Sequence, residues 1–249
     1  MNTRVFMVLT SLLAISGAPA LAAEPSPGAI VGKVDALRLP REANLRIGMV
    51  LESRKGTKSN GGSSYVALIR AGVGTLVQAV DGEQRGQKYL STAAGYWMYA
   101  PRTKRALRLT PLQLLRGQAS IGDVSRLRYA DDYTVAFADS PRQTIDGVDC
   151  WMLTLGAKSP QATYASIALA VNRATGNPVR AQLKARSGRL LKTATFGPIA
   201  NISGYRVVKA TTYTDGVDSS KATTVTYNSI AKAATPVGLF KPQSLSVGS

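Results

Sequence analysis

The stretch Val179-Arg-Ala-Gln-Leu-Lys-Ala-Arg-Ser-Gly-Arg-Leu-Leu-Lys-Thr-Ala-Thr-Phe196 decides the fold class, because its hydrophobic pattern has a period of two. In residues 179–186 apolar side chains alternate with basic and amide side chains, which predicts a strand with one dry and one wet face. The turn-forming pair Ser187-Gly188 follows, and residues 189–196 are compatible with a second strand. The stretch therefore predicts an antiparallel hairpin with one face turned to a core.

Similar short strands are predicted before and after this hairpin over most of the chain. Turn-forming pairs such as Asp81-Gly82, Asp146-Gly147 and Asp215-Gly216 separate many of them, which is typical of an antiparallel meander. The Gly- and Ser-rich residues 56–64 predict a flexible hairpin loop. The further predicted strands are residues 45–54, 64–71, 73–80, 86–92, 95–100, 105–109, 133–138, 149–155, 165–172, 204–213 and 222–230.

Helical signals are few and short. Residues 31–43 predict a short helix that Pro40 interrupts, residues 110–117 predict a second, and a third is predicted to begin at Asp123. These pieces are the natural cover for the dry face of the sheet. We therefore predict a mainly β (α+β) fold, in which a curved antiparallel sheet forms a half-closed barrel and short helices cover its concave face.

Residues 95–101, Gly-Tyr-Trp-Met-Tyr-Ala-Pro, concentrate aromatic side chains in a chain that is only 6% aromatic. Period two places the side chains at 97 and 99 on one face and those at 96 and 98 on the other. Such a strand is either buried on both faces or lines a hydrophobic cavity with one of them. For each residue the alternative to a cavity is an ordinary place in the core. Strand parity selects four cavity candidates, which are Trp97, Tyr99, Leu107 and Leu109.

The first residues predict a targeting segment. Arg4 supplies a positive charge, residues 5–15 are apolar, and residues 18–22, Ala-Pro-Ala-Leu-Ala, end in the small residues that signal peptidase requires. The residue directly after the predicted cleavage site is Ala23 and not a cysteine, so no lipid anchor is expected. We predict three parts and a periplasmic location: a signal peptide over residues 1–22, an N-terminal segment with a short helix over 23–44, and a single half-barrel domain over 45–249.

The residue types present exclude several chemistries. The chain has no histidine, which excludes Ser-His-Asp and Cys-His catalysis and ordinary zinc sites. Its single cysteine, Cys150, cannot form an internal disulfide and is predicted to be a small buried side chain. The adjacent pair Asp131 and Asp132 would point to opposite faces of a strand, so an enzyme is the weakest functional hypothesis. We expect no cofactor and no metal.

The chain is strongly basic, with 31 lysine and arginine residues against 14 acidic residues and a net charge of +17. Since an exported protein does not meet nucleic acid, the charge indicates anionic headgroups, an acidic partner protein or merely a solvated surface. The candidates for contact with a partner or headgroup are Arg102, Lys104, Arg105, Arg126 and Arg128.

Several segments together resemble the LolA-like family of periplasmic proteins that sort outer-membrane lipoproteins. Residues 85–90 resemble its Arg-Gly-x-x-aromatic-Leu strand, residues 95–101 its Trp-x-Tyr-x-Pro segment, and residues 146–155 its Gly-x-x-Cys strand. The order and spacing of such segments over residues 45–245 carry the resemblance. Residues 122–129 depart from it, because basic residues replace the acidic ones of the family, so its usual partner contact is not carried over there.

The resemblance implies a cavity that accepts acyl chains beneath a helical lid. The implied function is a non-enzymatic periplasmic carrier that binds a lipid or the acyl chain of a lipoprotein and moves it between the inner and outer membranes or to a transporter. Its partners would be that lipid or lipoprotein and either an inner-membrane transporter or an outer-membrane acceptor, with transient membrane contact. The alternative is an RseB-like periplasmic sensor or adaptor that binds an acidic protein or anionic headgroups.

Overall fold

The computed structural model describes residues 24–40, 44–110, 123, 128–160 and 162–246. These residues form one long antiparallel sheet, one small hairpin and a few short helices. The helices are α1 (Pro27–Arg38), α2 (Tyr129–Asp132) and two 3₁₀ helices, Val237–Phe240 and Pro242–Ser246. The strands are β1 (Asn44–Lys55), β2 (Lys58–Arg70), β3 (Gly74–Ala79), β4 (Lys88–Thr92), β5 (Gly95–Ala100), β6 (Arg105–Leu109), β7 (Tyr133–Ile145), β8 (Val148–Ala157), β9 (Ser166–Asn172), β10 (Pro178–Lys184), β11 (Leu190–Phe196), β12 (Ile199–Ile202), β13 (Tyr205–Val208), β14 (Ala210–Asp215) and β15 (Lys221–Lys232).

The long sheet has 13 strands in the order β6-β5-β4-β3-β2-β1-β15-β14-β11-β10-β9-β8-β7. Two meanders, β1 to β6 and β7 to β11, form its halves, and β15 joins them by pairing with β1 on one side and β14 on the other. Strands β6 and β7 remain as edges, so the sheet does not close into a barrel. The predicted mainly β fold with a curved, half-closed antiparallel sheet is confirmed.

Helix α1 lies against the inside of the curve. Ser26 caps it, since its Oγ accepts a hydrogen bond from the Ala29 N–H at 3.3 Å, and Pro27 suits the first helical position. Its apolar residues share one core with Val77 of β3 and Leu153 of β8, although seven strands (β2, β1, β15, β14, β11, β10 and β9) separate those two in the sheet. A sheet that curves around this core places both residues on its inner side. The buried apolar residues of α1 are Ile30, Val31, Val34 and Leu37.

Most predicted strands are confirmed within a few residues, but the loop predicted over residues 56–64 is wrong. Residues 58–64 belong to β2 and pair with β1, and the turn between them is tight, with Gly56 at a φ of 59°. β15 pairs with the other side of β1 over the same residues, so three strands hold this exposed part of the sheet without an apolar face of its own. The Gly and Ser residues of this stretch therefore did not indicate a loop.

Other boundaries also differ from prediction. Strand β7 continues to Ile145, seven residues beyond its predicted end, and β12 corresponds to no predicted strand. Helix α1 begins at Pro27, earlier than predicted, because Ser26 and Pro27 start it, and it ends at Arg38 before Pro40. The strand predicted over residues 204–213 is two strands: β13 pairs with β12 in the small hairpin, and β14 enters the long sheet.

Some predictions lie outside the described residues. They include the signal peptide over 1–22, the helix over 110–117 apart from Thr110, and most of the helix that begins at Asp123, which is itself helical. The division into a 23–44 segment and a 45–249 domain stays a prediction. No helix in the described ranges has the length and apolar character to cross a membrane.

We expect Leu153→Ala to lower the free energy of unfolding by about 2–5 kcal/mol, because Leu153 is fully buried and its loss leaves a cavity. The matched control is Thr154→Ala, on the exposed face of the same strand, which should change stability by less than about 0.5 kcal/mol. Urea unfolding measures both variants. Equal losses would contradict the assignment of the two faces.

Candidate functional site

The concave face is the inner side of the long sheet, where residues from both halves share one apolar core with α1. It is continuous and apolar, as an acyl-chain site requires, but α1 and several tyrosines fill it in this structure. Its largest fully buried side chains are Leu45, Ile47, Tyr129, Tyr133, Leu153, Leu155, Tyr164, Ile167, Leu169, Leu183 and Ile230.

Two acidic residues hold the cover of this face in place. We define the lid as the described part of the chain between β6 and β7 that packs on α1 and the core, namely Asp123 and residues 128–132. The Asp35 carboxylate on α1 accepts hydrogen bonds from the backbone N–H groups of Tyr129 at 2.9 Å and Ala130 at 2.8 Å. This carboxylate thus ties α1 to the start of α2.

Arg38 completes this contact. It lies one turn from Asp35, with 3.6 Å between guanidinium and carboxylate, and its guanidinium stacks 4.1 Å from the centre of the Tyr129 ring. Burial raises the pKa of Asp35, because the ionised form loses its hydration, while the nearby Arg38 charge and the backbone donors act in the opposite direction. The three groups form a buried polar junction between α1 and the lid.

A second polar junction ties the lid to the sheet. The Asp123 side chain is completely buried, and the Lys192 Nζ of β11 donates to its Oδ2 at 2.9 Å. The Tyr164 hydroxyl donates to Oδ1, and the Tyr164 N–H donates to the Tyr133 hydroxyl at 3.2 Å. A buried ion pair of this kind is costly to break, because either partner alone would be an uncompensated charge.

Sequence reasoning missed both junctions, although a signal for each was present. Lys192 shares its strand parity with Ala194 and Phe196 on the buried face, so it is a lysine on a dry face. Asp35 and Arg38 follow Val31 and Val34 at helical spacing, on the side of α1 that faces the core. A charged residue in register with apolar ones predicts a buried charge that needs a partner.

The four predicted cavity residues do not come together. Trp97 and Tyr99 face the same side of β5, as predicted, but that side packs against the C-terminal 3₁₀ helices rather than α1. They form a second, smaller core with Leu90, Phe240 and Leu245. The Lys88 Nζ, 5.6 Å from the centre of the Tyr99 ring, donates to the Leu245 carbonyl oxygen at 3.1 Å.

Leu107 and Leu109 lie on the opposite face of the sheet from Trp97. In the β5–β6 ladder Leu107 is opposite Met98 and Leu109 is opposite Tyr96, and directly opposed residues share a face. Leu107 is 51% exposed on the edge strand. The structure thus places the four candidates on two faces, and their role in binding a ligand stays a prediction.

Three of the five basic candidates cluster at one corner. Arg102, Lys104 and Arg105 are exposed around the tight β5–β6 turn, where Lys104 has a φ of 53°. Arg128 lies apart from them, half-buried in the lid, and donates to the Pro40 carbonyl oxygen at 3.3 Å. Arg126 is outside the described residues. The contact of these residues with a partner or headgroup is untested.

Two partly open clefts lie in the described part of the structure, and the first borders the lid. One, of about 590 Å³, lies between α1, the β2–β3 and β4–β5 turns and the lid, and carries charges of both signs, including Asp35, Arg70, Arg128 and Asp131. The other, of about 620 Å³, lies between the β8–β9 connection and the β10–β11 turn and is mainly apolar. Both are in the size range of ligand pockets.

Reactive groups are sparse in the described residues. Cys150 is fully buried, which confirms the predicted small buried side chain, and burial raises the pKa of its thiol. No group of three or more Cys, Asp or Glu side chains that could hold a metal occurs in the described ranges. The expectations of no cofactor and no metal stay predictions.

We expect Lys192→Met to lower the free energy of unfolding by about 3–5 kcal/mol, because it leaves the Asp123 carboxylate buried without its cation. The double variant Asp123→Leu with Lys192→Met should recover most of this loss, since two apolar side chains replace the pair. Urea unfolding of the native chain, both single variants and the double variant gives a double-mutant cycle for this pair. Additive losses would show that the two side chains do not interact.

Comparison with solved structures identifies the fold. A LolA superfamily protein from Nitrosomonas europaea superposes with a TM-score of 0.77 at 24% identity, covering 87% of this chain and 98% of that one. A DUF1329 family protein from Desulfovibrio piger gives 0.73 at 18% identity, covering 89% and 100%. A domain from Vibrio parahaemolyticus, provisionally named an outer-membrane lipoprotein-sorting protein domain, gives 0.70 at 17% identity, covering 88% and 98%.

At these identities the likeness shows the fold alone. A comparison with curated proteins finds no match. A family model described as an uncharacterized protein matches residues 75–247, which is more than half of the 249-residue chain. The chain therefore belongs to this family of uncharacterized proteins, and its fold is that of the LolA superfamily.

Proposed function

We propose that this protein is a non-enzymatic periplasmic carrier that binds an acyl chain of a lipid or lipoprotein between the concave face and the lid. One observation carries the proposal: a continuous apolar sheet face is covered by α1 and a lid that is held through two buried polar junctions. Such a cover can move when a ligand replaces its apolar contacts and the few directed contacts of the two junctions break.

Magnitudes favour an acyl chain as the ligand. Burying apolar chain yields about 0.8 kcal/mol per CH₂, so ten methylenes supply about 8 kcal/mol. Breaking a buried ion pair costs about 3–5 kcal/mol, and each hydrogen bond to a charged group is worth about 1.5–3 kcal/mol. A chain of ten or more methylenes is therefore comparable in free energy to the polar contacts that hold the lid, whereas a chain of a few methylenes is not. A partner or membrane that competes for the chain would let the lid close again.

One further observation and one prediction support this proposal. The fold is shared with a domain whose provisional name is an outer-membrane lipoprotein-sorting protein domain. The predicted signal peptide over residues 1–22 would export the chain to the periplasm, where acyl chains need a carrier between membranes. The cargo would be handed to an inner-membrane transporter or an outer-membrane acceptor.

We expect protein purified from its own host to carry lipid, detected as added mass in native mass spectrometry and identified after solvent extraction. Affinity for fatty acids should rise steeply between eight and sixteen carbons, because each added methylene buries more apolar surface. Displacement of a fluorescent fatty acid measures this series. Protein that contains no lipid and binds no chain of any length would refute the carrier function.

A second candidate function rests on the basic corner at the β5–β6 turn. Arg102, Lys104 and Arg105 are exposed there, and none of them forms an ion pair with an acidic residue in the described part of the chain. An adaptor that docks on anionic headgroups or on an acidic protein would use such a corner.

For this candidate we expect the triple variant Arg102→Gln, Lys104→Gln and Arg105→Gln to lose roughly a hundredfold in affinity for vesicles containing phosphatidylglycerol, at about 1 kcal/mol per cation. The matched control neutralises three exposed cations of the β1–β2 hairpin, Arg54, Lys55 and Lys58. Sedimentation with vesicles at low and high salt measures binding. If the two triple variants lose equal affinity for the vesicles, binding depends on the overall positive charge and not on the basic corner.

A further inference from the structure

The mainly apolar cleft of about 620 Å³ has walls from two connections of the long sheet. One wall is the β8–β9 connection, where Ala157, Ala162 and Tyr164 line the cleft, and the other is the end of the β10–β11 hairpin, with Ala185 and Leu191. Ala162, Tyr164 and Leu191 also belong to the concave core or pack against it. The cleft is therefore a solvent-accessible extension of the apolar interior.

Each wall carries one cation at the rim. Lys158 stands on the β8–β9 side and Arg186 on the β10–β11 side, and both are exposed. The Lys158 Nζ donates to the carbonyl oxygens of Ala130 at 2.8 Å and Asp131 at 3.2 Å, which leaves the third donor of the ammonium group for another acceptor. Arg186 forms no ion pair within the described ranges.

We propose that this cleft binds a single-chain anionic amphiphile, with its acyl chain against the alanine, tyrosine and leucine walls and its anionic head between Lys158 and Arg186. This proposal rests on the proposed carrier function and adds the position and charge of the ligand. The 590 Å³ cleft is a poorer site for such a ligand, because its three carboxylates outnumber its two cations, Arg70 and Arg128, and would repel an anion.

The size of the cleft favours a ligand with one chain. Its volume lies within the range of about 300–1,000 Å³ that suits a ligand of drug size. The floor of the cleft also connects it with the lid. Tyr164 lines the cleft and its hydroxyl donates to Asp123, so an acyl chain that enters meets the side chain that holds the lid to the sheet.

A single-chain amphiphile with an anionic head can be a free fatty acid or a lysophospholipid. The first offers a carboxylate and the second a phosphate, and either could accept hydrogen bonds from both cations. Three probes separate these sources from a purely apolar site: oleate, lysophosphatidylglycerol and the uncharged monoolein, each used below its critical micelle concentration. Isothermal titration measures their dissociation constants with the full chain.

Two variants and one control test the site. Ala185→Phe fills the cleft and should weaken binding of all three probes at least tenfold, as the buried methylenes are lost. Arg186→Gln should weaken the anionic probes about fivefold, which corresponds to an exposed charge pair, and leave monoolein unchanged. Arg189→Gln removes an exposed cation from the same turn but outside the cleft, and should leave all three probes unchanged. Ala165→Leu, on the opposite wall, repeats the blocking test if Ala185→Phe does not fold.

The outcomes separate this proposal from the carrier function. If the native chain binds the probes but both blocking variants bind them equally well, this site is refuted while the carrier function stands. If the blocking variants weaken binding but Arg186→Gln and Arg189→Gln change the affinity equally, the proposed contact between an anionic head and Arg186 is refuted. If the native chain binds no probe, both proposals fail. The probe with the lower dissociation constant identifies the source of the head group.

Discussion

The structure depends on one constraint: a sheet that curves without closing has an apolar inner face that must be covered. A closed barrel would fill that interior with its own side chains. Here strands β6 and β7 remain as edges, and α1 and the lid complete the core. The hydrophobic effect alone would let any apolar helix slide on such a face, because it has no direction. Direction comes from Asp35, Asp123 and Lys192, whose hydrogen bonds exist in one arrangement only.

The free energy that holds the cover on the sheet and the position of the cover therefore depend on different contacts. Apolar contacts supply most of the stabilisation, while the two polar junctions determine where the cover lies and how much is lost when it moves. A ligand that supplies apolar surface can replace the apolar contacts of the cover but not its polar junctions. Under the proposed carrier function, the junctions would set a lower limit on the length of the acyl chain that binds.

The sequence predicted the sheet well because period-two alternation and turn-forming pairs are local signals, as in residues 179–196. It predicted the faces of β5 correctly but not what covers them, because the partner of Trp97 is the distant pair Phe240 and Leu245. Strand parity states which residues share a side of one strand, whereas packing between remote segments is a property of the whole chain. The buried charges were missed for a similar reason: Asp123 and Lys192 are 69 residues apart, and neither explains the other locally.

The two tryptophans of the chain lie in different cores. Trp97 packs beneath the C-terminal 3₁₀ helices, and Trp151 packs in the concave core beside Phe137, with the Arg173 guanidinium 4.5 Å from its ring centre. Indole emission depends on how far water can approach the ring, so each tryptophan reports the hydration of its own layer. The protein thus carries two native optical probes: variants that keep one tryptophan at a time can distinguish loosening of the inner layer from loosening of the outer one, without any attached dye.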